Sequence, residues 1–127
     1  MNTSHNILHE FVNLYIDKSS ATSENHLMPL KVVFRDRRLF ELATDKNASS
    51  GHPQAVEKKF RLRIQQIMAV QDERDFYKHA SLHFEKLKGD RKHQHSMRLN
   101  DQWRLIVEFD GEAPNKRIVI VAIEDYH

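Results

Sequence analysis

Residues 93–109 read HQHSMRLNDQWRLIVEF, two β-rich runs on either side of the polar triplet Asn100-Asp101-Gln102. If this triplet is the whole loop of a β-hairpin, one face of the two strands is consistently apolar. That face comprises Met97, Leu99, Trp103, Leu105, Val107 and Phe109. A two-residue loop would mix apolar and polar side chains on both faces. The pattern therefore predicts a three-residue loop.

The same register sets Arg98 directly opposite Arg104 on the other face of the hairpin. Like charges that face each other on a sheet destabilise it. Two explanations remain open at this point. The first is that an anionic ligand covers this face. The second is that the two guanidiniums either extend into water or pair with Glu108 or Glu85.

Hydrophobic patterns on either side of the hairpin predict the remaining elements. Four strands are expected, at Leu30–Phe34, His93–Leu99, Trp103–Phe109 and Arg117–Ile123. Three helices are expected, at Asp36–Thr44, from Pro53 onwards and at about Glu73–Ala80. The buried stripe of the longest helix is Val56, Phe60, Ile64, Ile67 and Met68. The run from Ile118 to Ile123 is apolar without alternation, which favours a central strand covered on both sides. Helices followed by an antiparallel sheet predict an α+β domain.

Residues 1–29 differ from the rest of the chain. Asn6–Ile16 has the apolar spacing of a short amphipathic helix, and a Ser-rich linker follows at Asp17–Asn25. Residues 1–30 have one Lys and three acids, which gives a charge of −2. Because the net charge of the whole chain is +2, residues 31–127 carry +4. We therefore expect an extension at residues 1–29 and a compact domain at residues 30–127. Either the extension contains a real added helix, or the true start of the protein is Met28.

Composition excludes several classes of function. Without cysteine there is no disulfide, thiolate metal site or cysteine nucleophile. No apolar window approaches the roughly 20 residues of a membrane span, and no signal peptide is recognisable, so a cytoplasmic protein is expected. His93 and His95 could chelate a metal with His83, but without a further ligand at a known spacing no metal or cofactor is predicted. The segment from His83 to Arg104, with six Lys or Arg and three acids, could attract phosphate.

Three separate motifs resemble one known family. They are LKGDR at residues 87–91, HSMRLNDQWR at residues 95–104 and EDYH at residues 124–127. In this order and spacing they resemble the HigB-type toxins of the RelE/ParE superfamily. The resemblance implies helices packed on one face of a small curved antiparallel sheet. It also implies cleavage of messenger RNA in the A site of the small ribosomal subunit.

The resemblance further implies a partner and a set of site residues. The partner is a HigA-like antitoxin with a helix-turn-helix domain, through which the complex would contact operator DNA. Lys88 matches the family's catalytic-loop Lys, Arg104 its phosphate-contacting Arg, and Asp125, Tyr126 and His127 its terminal functional trio. The chain departs from the family at Glu85, where HigB proteins often have His and the related YoeB-type toxins have a Glu that acts as general base.

Metal-independent cleavage of RNA needs a base, an acid and cations around the phosphate. We expect Glu85 to be the base and His127 the acid, because the neighbouring α-carboxylate would raise the pKa of His127. The cations would be Lys88, Arg104 and Arg98, with Arg91 as a further contact for RNA phosphate. Tyr126 could stack on a base or bind the phosphate.

Two other functions stay open at the level of sequence. The same fold serves ParE-like inhibitors of DNA gyrase, which act without catalysis. The departure at Glu85 is also compatible with an inactive binding module. The constellation of Glu85, Lys88, Arg104 and His127 favours the nuclease.

Overall fold

The computed structural model describes residues 15–16, 30–112 and 115–126. This part of the chain contains two α-helices, α1 and α2, and six strands, β1 to β6, with short 3₁₀ segments in the connections. The helices are α1 (Arg37–Thr44) and α2 (Gln54–Ala69). The strands are β1 (Tyr15–Ile16), β2 (Lys31–Phe34), β3 (Glu85–Lys86), β4 (Gln94–Arg98), β5 (Trp103–Asp110) and β6 (Arg117–Asp125). The α+β prediction is confirmed.

The described strands form one sheet in the order β1-β2-β6-β5-β4-β3. The expected antiparallel sheet is wrong in one respect, because β2 and β6 pair in parallel, so the sheet is mixed. A parallel pair needs a long crossover. Here both helices and the β3–β5 region separate the two strands in sequence, which allows that pairing.

The hairpin of β4 and β5 has the predicted register. Arg98 is the partner of Arg104, Met97 of Leu105 and His95 of Val107. The Leu99 amide donates to the Trp103 carbonyl over 2.9 Å and closes the three-residue loop. A bulge between Ile106 and Val107 shifts the pairing of β5 with β6.

The core lies between the two helices and one face of the sheet. Asp36 caps α1 as expected, since its carboxylate accepts from the Arg38 amide over 2.7 Å. Of the predicted stripe on α2, Met68 is half-buried and the other members are buried. The apolar face of the hairpin packs against these helices, with Trp103 at its margin. This face is called the helix-covered face below.

Strand β6 occupies the central position that its apolar run predicts, between β2 and β5. Ile118, Val119 and Ile120 are buried, so both faces of this part of the strand are covered. The following residues up to Ile123 are only half-buried. The prediction of a fully covered strand is therefore correct for the first half of β6.

Two helix predictions need correction. The expected helix at Glu73–Ala80 is instead two 3₁₀ segments, Glu73–Lys78 and Ala80–Leu82. Phe76 is the single buried residue of the first segment, so no long apolar stripe favours a regular α-helix there. The expected helix at Asn6–Ile16 is wrong at its end, because Tyr15–Ile16 pair with β2; residues 6–14 lie outside the described residues.

Among the described residues, neither helix has both the length and the apolar content needed to cross a membrane.

Candidate functional site

The hairpin turns its second face away from the helices. This outer face carries Ser96 and Arg98 from β4 and Arg104, Ile106 and Glu108 from β5. Its two ends differ. At one end Glu108 accepts hydrogen bonds from Arg35 over 2.8 Å and from Gln94 over 2.7 Å, while the other end carries Arg104.

Glu108 is an anchored carboxylate. Its side chain is only 16% exposed, and His93 lies 3.6 Å from it in addition to Arg35 and Gln94. Burial raises the pKa of Glu108, but the hydrogen bonds from Arg35 and Gln94 outweigh it, so that the pKa lies below its usual value. This end of the outer face is therefore a satisfied ion-pair network.

Arg104 is a nearly buried cation at the other end, with 7% of its surface exposed. Its Nη2 atom donates to the His83 carbonyl over 2.7 Å and to the Ser96 hydroxyl over 2.8 Å. The guanidinium carbon lies 5.0 Å from the centre of the Tyr126 ring. Its buried Nε atom has no hydrogen-bond partner within the described part of the chain. The guanidinium is thus held in place with donor capacity to spare.

The backbone of His83 adopts a left-handed conformation, with φ at 47°. Such a conformation is uncommon for a residue other than glycine, although histidine tolerates it better than most. This conformation ends the 3₁₀ segment Ala80–Leu82. In it, the His83 carbonyl accepts a hydrogen bond from Arg104. Residues held in sparsely populated backbone conformations cluster at functional sites.

Arg98 and Arg104 are register partners, but their guanidiniums diverge. Arg98 forms an ion pair with Asp101 in the hairpin loop. Arg104 turns towards Glu85 and Ser96. The repulsion expected from the register is thereby reduced, and one of the two pairing partners considered from sequence, Glu85, is found beside Arg104.

Glu85 begins the short strand β3, directly opposite Ser96 of β4. Its Oε1 atom lies 3.5 Å from Nη2 of Arg104, and 56% of its side chain is exposed. This carboxylate is therefore accessible from solvent while it stays next to the buried guanidinium. It contrasts with Glu108, whose oxygens are occupied.

The end of β6 brings Tyr126 to the same place. The Tyr126 amide donates to the Gln102 carbonyl over 2.6 Å, and the Gln102 side chain donates to Asp125 over 3.1 Å. These contacts anchor the chain, while the Tyr126 ring stays 48% exposed beside Arg104. His127, the expected acid, lies outside the described residues.

The two remaining predicted residues are placed differently. Lys88 is exposed and has no ion pair within the described part of the chain. Arg91, an expected contact for RNA phosphate, donates to both carboxylate oxygens of Glu124, over 3.0 and 2.6 Å, and its pKa is raised by this pairing. Arg91 therefore already has an anionic partner in this structure.

The histidines considered as metal ligands have other surroundings. His95 stacks on Phe84 with ring centres 4.8 Å apart, and burial lowers its pKa. His93 faces Glu108. In the described ranges, no cluster of three or more side chains of His, Cys, Asp or Glu could hold a metal ion.

Sequence reasoning missed two groups that complete the site. Ser96 is fully buried on the outer face and holds Arg104, and the His83 carbonyl does the same. The register did carry a signal for Ser96, because a small polar residue lies on the same face as Arg98 and Arg104. The backbone conformation of His83 carried none.

The arrangement groups an accessible carboxylate, an oriented guanidinium and an exposed phenol ring. A carboxylate can accept a proton, a guanidinium can hold two oxygens of a phosphate, and an aromatic ring can stack on a base. These three groups together fit a phosphodiester of a single-stranded nucleic acid.

Comparison with known proteins agrees with the motifs. A family model, "HigB-like toxin: RelE-like toxin of type II toxin-antitoxin system HigB", matches residues 32–127. No curated protein matches the chain. Among solved structures, the chain is similar to the "YoeB/ParE toxin from Agrobacterium tumefaciens", with 17% sequence identity and a TM-score of 0.48, over 76% of this chain and 98% of that chain.

Proposed function

We propose a specific activity for this chain, which belongs to the HigB-like toxins, the RelE-like toxins of type II toxin–antitoxin systems. It is an endoribonuclease that cleaves messenger RNA in the ribosomal A site. The observation that carries the proposal is the cluster on the outer face, where Glu85 lies 3.5 Å from Arg104 and Tyr126 lies against the same guanidinium.

The first step of the proposed reaction is removal of a proton from a ribose 2′-hydroxyl. Glu85 accepts this proton, because its carboxylate is exposed and lies next to the phosphate-binding group. The 2′-oxygen then forms a bond to phosphorus of the adjacent phosphodiester. Negative charge develops on the phosphoryl oxygens, and Arg104 stabilises it.

The second step is departure of the 5′-oxygen. The bond from phosphorus to this oxygen breaks, which leaves a 2′,3′-cyclic phosphate and a 5′-hydroxyl. Protonation of the leaving oxygen is assigned to His127 on the family motif alone. Tyr126, the preceding residue, supports this assignment because it is anchored within reach of Arg104. The reaction uses only protein groups and needs no metal ion.

Lys88 and Arg98 have supporting roles. Lys88 is exposed and unpaired in the described part of the chain, so it is available to the phosphate oxygens. Arg98 can exchange Asp101 for phosphate at small cost, because an exposed ion pair is worth about 0–1 kcal/mol. Arg91 binds RNA only if it leaves Glu124, so its contribution is the weakest in this proposal.

The proposed partners follow from the family. A HigA-like antitoxin with a helix-turn-helix domain neutralises the toxin, and the complex reaches operator DNA through that antitoxin. The ribosome presents the messenger in the A site. The proposed location of these events is the cytoplasm.

The proposal is tested by incubating the purified chain with labelled messenger RNA, with and without programmed ribosomes. Cleavage only with ribosomes, and products with 2′,3′-cyclic phosphate ends, would support it. A parallel supercoiling assay with DNA gyrase addresses the other function. Inhibition of gyrase without RNA cleavage would refute the nuclease, and inactivity in both assays would indicate a binding module.

A further inference from the structure

A second cationic pocket adjoins the outer face. It has a volume of about 450 Å³ and lies between α2, the 3₁₀ segment Ala80–Leu82 and the hairpin loop. The side chains that line it include Lys59, Arg63, Ser81, His83, Arg98 and Asn100. We call it the α2 pocket.

Arg63 is a buried cation without a counter-ion. Only 7% of its surface is exposed, and it has no ion pair with any described residue. Its Nε atom donates to the Arg98 carbonyl over 2.7 Å, and its Nη1 atom donates to the Gln66 side chain over 2.9 Å. Both acceptors are neutral. Burial, and next the charge of Arg98, lower the pKa of Arg63.

A buried charge without an opposite charge is costly, and a chain under selection for stability alone would replace it. Among the described residues, Nη2 of Arg63 donates no hydrogen bond, although the side chain lines the pocket. An anion in the pocket would offset the cost and accept from this nitrogen. An anionic ligand in the pocket would supply the charged partner that the described residues do not give Arg63.

Further positive charge surrounds Arg63. Lys59 lies one turn earlier on α2 and has no ion pair in the described part of the chain. The one acid that lines the pocket, Asp101, is paired with Arg98. With three cations and one acid, and neutral histidine, the lining has a formal charge of +2.

The pocket and the proposed site share two residues. Arg98 lines the pocket and is the register partner of Arg104. His83 lines the pocket and accepts from Arg104 through its carbonyl. Because the pocket and the proposed site share these two residues, a strand of RNA with one phosphate at Arg104 can continue towards the α2 pocket.

We propose that the α2 pocket binds a phosphate of the RNA chain next to the phosphate that is cleaved. This inference rests on the proposed function, because the proposed site provides the polyanion. Arg63 and Lys59 are binding residues here, and they take no part in proton transfer. The pocket would hold the strand in place while Glu85 and Arg104 act on the neighbouring linkage.

The experiment uses a short RNA with 2′-O-methyl groups, which the proposed reaction cannot cleave, so binding is measured apart from activity. Binding to the full chain is followed by NMR, with the Nε–H signal of Arg63 as the local probe. Lys59→Gln is the test variant. Lys58→Gln is the matched control, because it removes the same charge from the adjacent, exposed position of α2 outside the pocket.

We expect the oligonucleotide to shift the Arg63 signal and Lys59→Gln to weaken binding about five-fold. The slope of log affinity against log salt should fall by about 0.7, the value for one lost phosphate contact on a single strand. Lys58→Gln should change both quantities clearly less. Arg63→Lys, which keeps the charge, should keep the fold and weaken binding as well.

Equal losses in the Lys59 and Lys58 variants would overturn the proposal, and so would an unmoved Arg63 signal. Inorganic phosphate serves as a separate probe: if it shifts the Arg63 signal and the oligonucleotide does not, the pocket does not bind RNA. A shift caused only by an acidic peptide would likewise assign the pocket to a protein partner. Binding of methylated RNA without cleavage of natural RNA would refute the nuclease and leave this pocket supported.

Discussion

The helix-covered face of the β4–β5 hairpin and its outer face are formed by alternate residues of the same two strands, yet their compositions differ. Met97, Leu105 and Val107 fill the first face with apolar contacts alone. The outer face buries Arg104 and Ser96 and leaves Glu85 accessible beside them. The first face therefore stabilises the fold by apolar burial, whereas the other places a nearly buried guanidinium next to an accessible carboxylate.

A similar difference exists within the outer face. Glu108 and Glu85 are both carboxylates near an arginine, but Glu108 is hydrogen-bonded from two sides while Glu85 is mostly exposed. Glu108 consequently has a structural role. Glu85 is more than half exposed, so its pairing with Arg104 is expected to contribute little to stability.

The largest effect is expected for Glu85→Gln. Loss of the general base should lower the rate of RNA cleavage about 10²- to 10⁴-fold. The free energy of unfolding should change by less than about 0.5 kcal/mol, because the side chain is exposed. Cleavage rates and denaturant titrations measure the two quantities. An unchanged rate would exclude Glu85 as the base.

Leu105→Ala tests the helix-covered face. Removing this fully buried side chain should lower the free energy of unfolding by about 2–5 kcal/mol. The rate per folded molecule should change little, because Leu105 points away from the site. Denaturant titration and the rate corrected for the folded fraction check this. A specific loss of cleavage with normal stability would show that the two faces are not separate in function.

Glu108→Gln should lower the free energy of unfolding at neutral pH by about 1 kcal/mol, since both of its partners are partly exposed. The pKa of Glu108 in the folded chain lies below its usual value of about 4.3, so its stabilising contribution is present above that pH and is lost as the pH falls through the folded pKa. The difference between variant and parent should therefore shrink in acid. A difference that is constant from pH 7 to pH 3 would contradict the assignment.

The smallest change in stability is expected for Arg98→Gln. The variant loses an exposed ion pair with Asp101 but also the like charge opposite Arg104, so the net change should be a few tenths of a kcal/mol. RNA affinity should fall in the same variant. Thermal melting and RNA titration test this pair of outcomes. A clear loss of melting temperature would reveal a structural role for this side chain.

Much of the fold could be predicted because alternation in the hairpin has a single consistent solution. The register, the loop at residues 100–102 and the buried stripe of α2 followed from apolar spacing alone. The parallel pairing of β2 with β6 did not, since spacing carries no information on strand direction. The strand at Tyr15–Ile16 was missed because its sequence also fits a helical stripe.

For the candidate site, the sequence indicated which residues to consider but did not indicate their surroundings. The motifs indicated Glu85, Arg104 and Tyr126, and these lie together. The burial of Arg104, its contact with the His83 carbonyl and the isolated charge of Arg63 depend on distant parts of the chain that meet only after folding. No local pattern reports such contacts.

The outer face is tested most directly by Arg104→Lys, with Arg35→Lys as the control at the Glu108 end of the same face. Both variants keep the charge, but lysine cannot reproduce the planar pair of donors that arginine offers to phosphate. Ribosome-dependent cleavage should fall about 10²- to 10³-fold for Arg104→Lys in samples whose melting shows a folded protein, and should stay within about two-fold of the parent for Arg35→Lys. Full cleavage by a folded Arg104→Lys variant, or equal losses in the two variants, would contradict the account of the outer face as the reactive one.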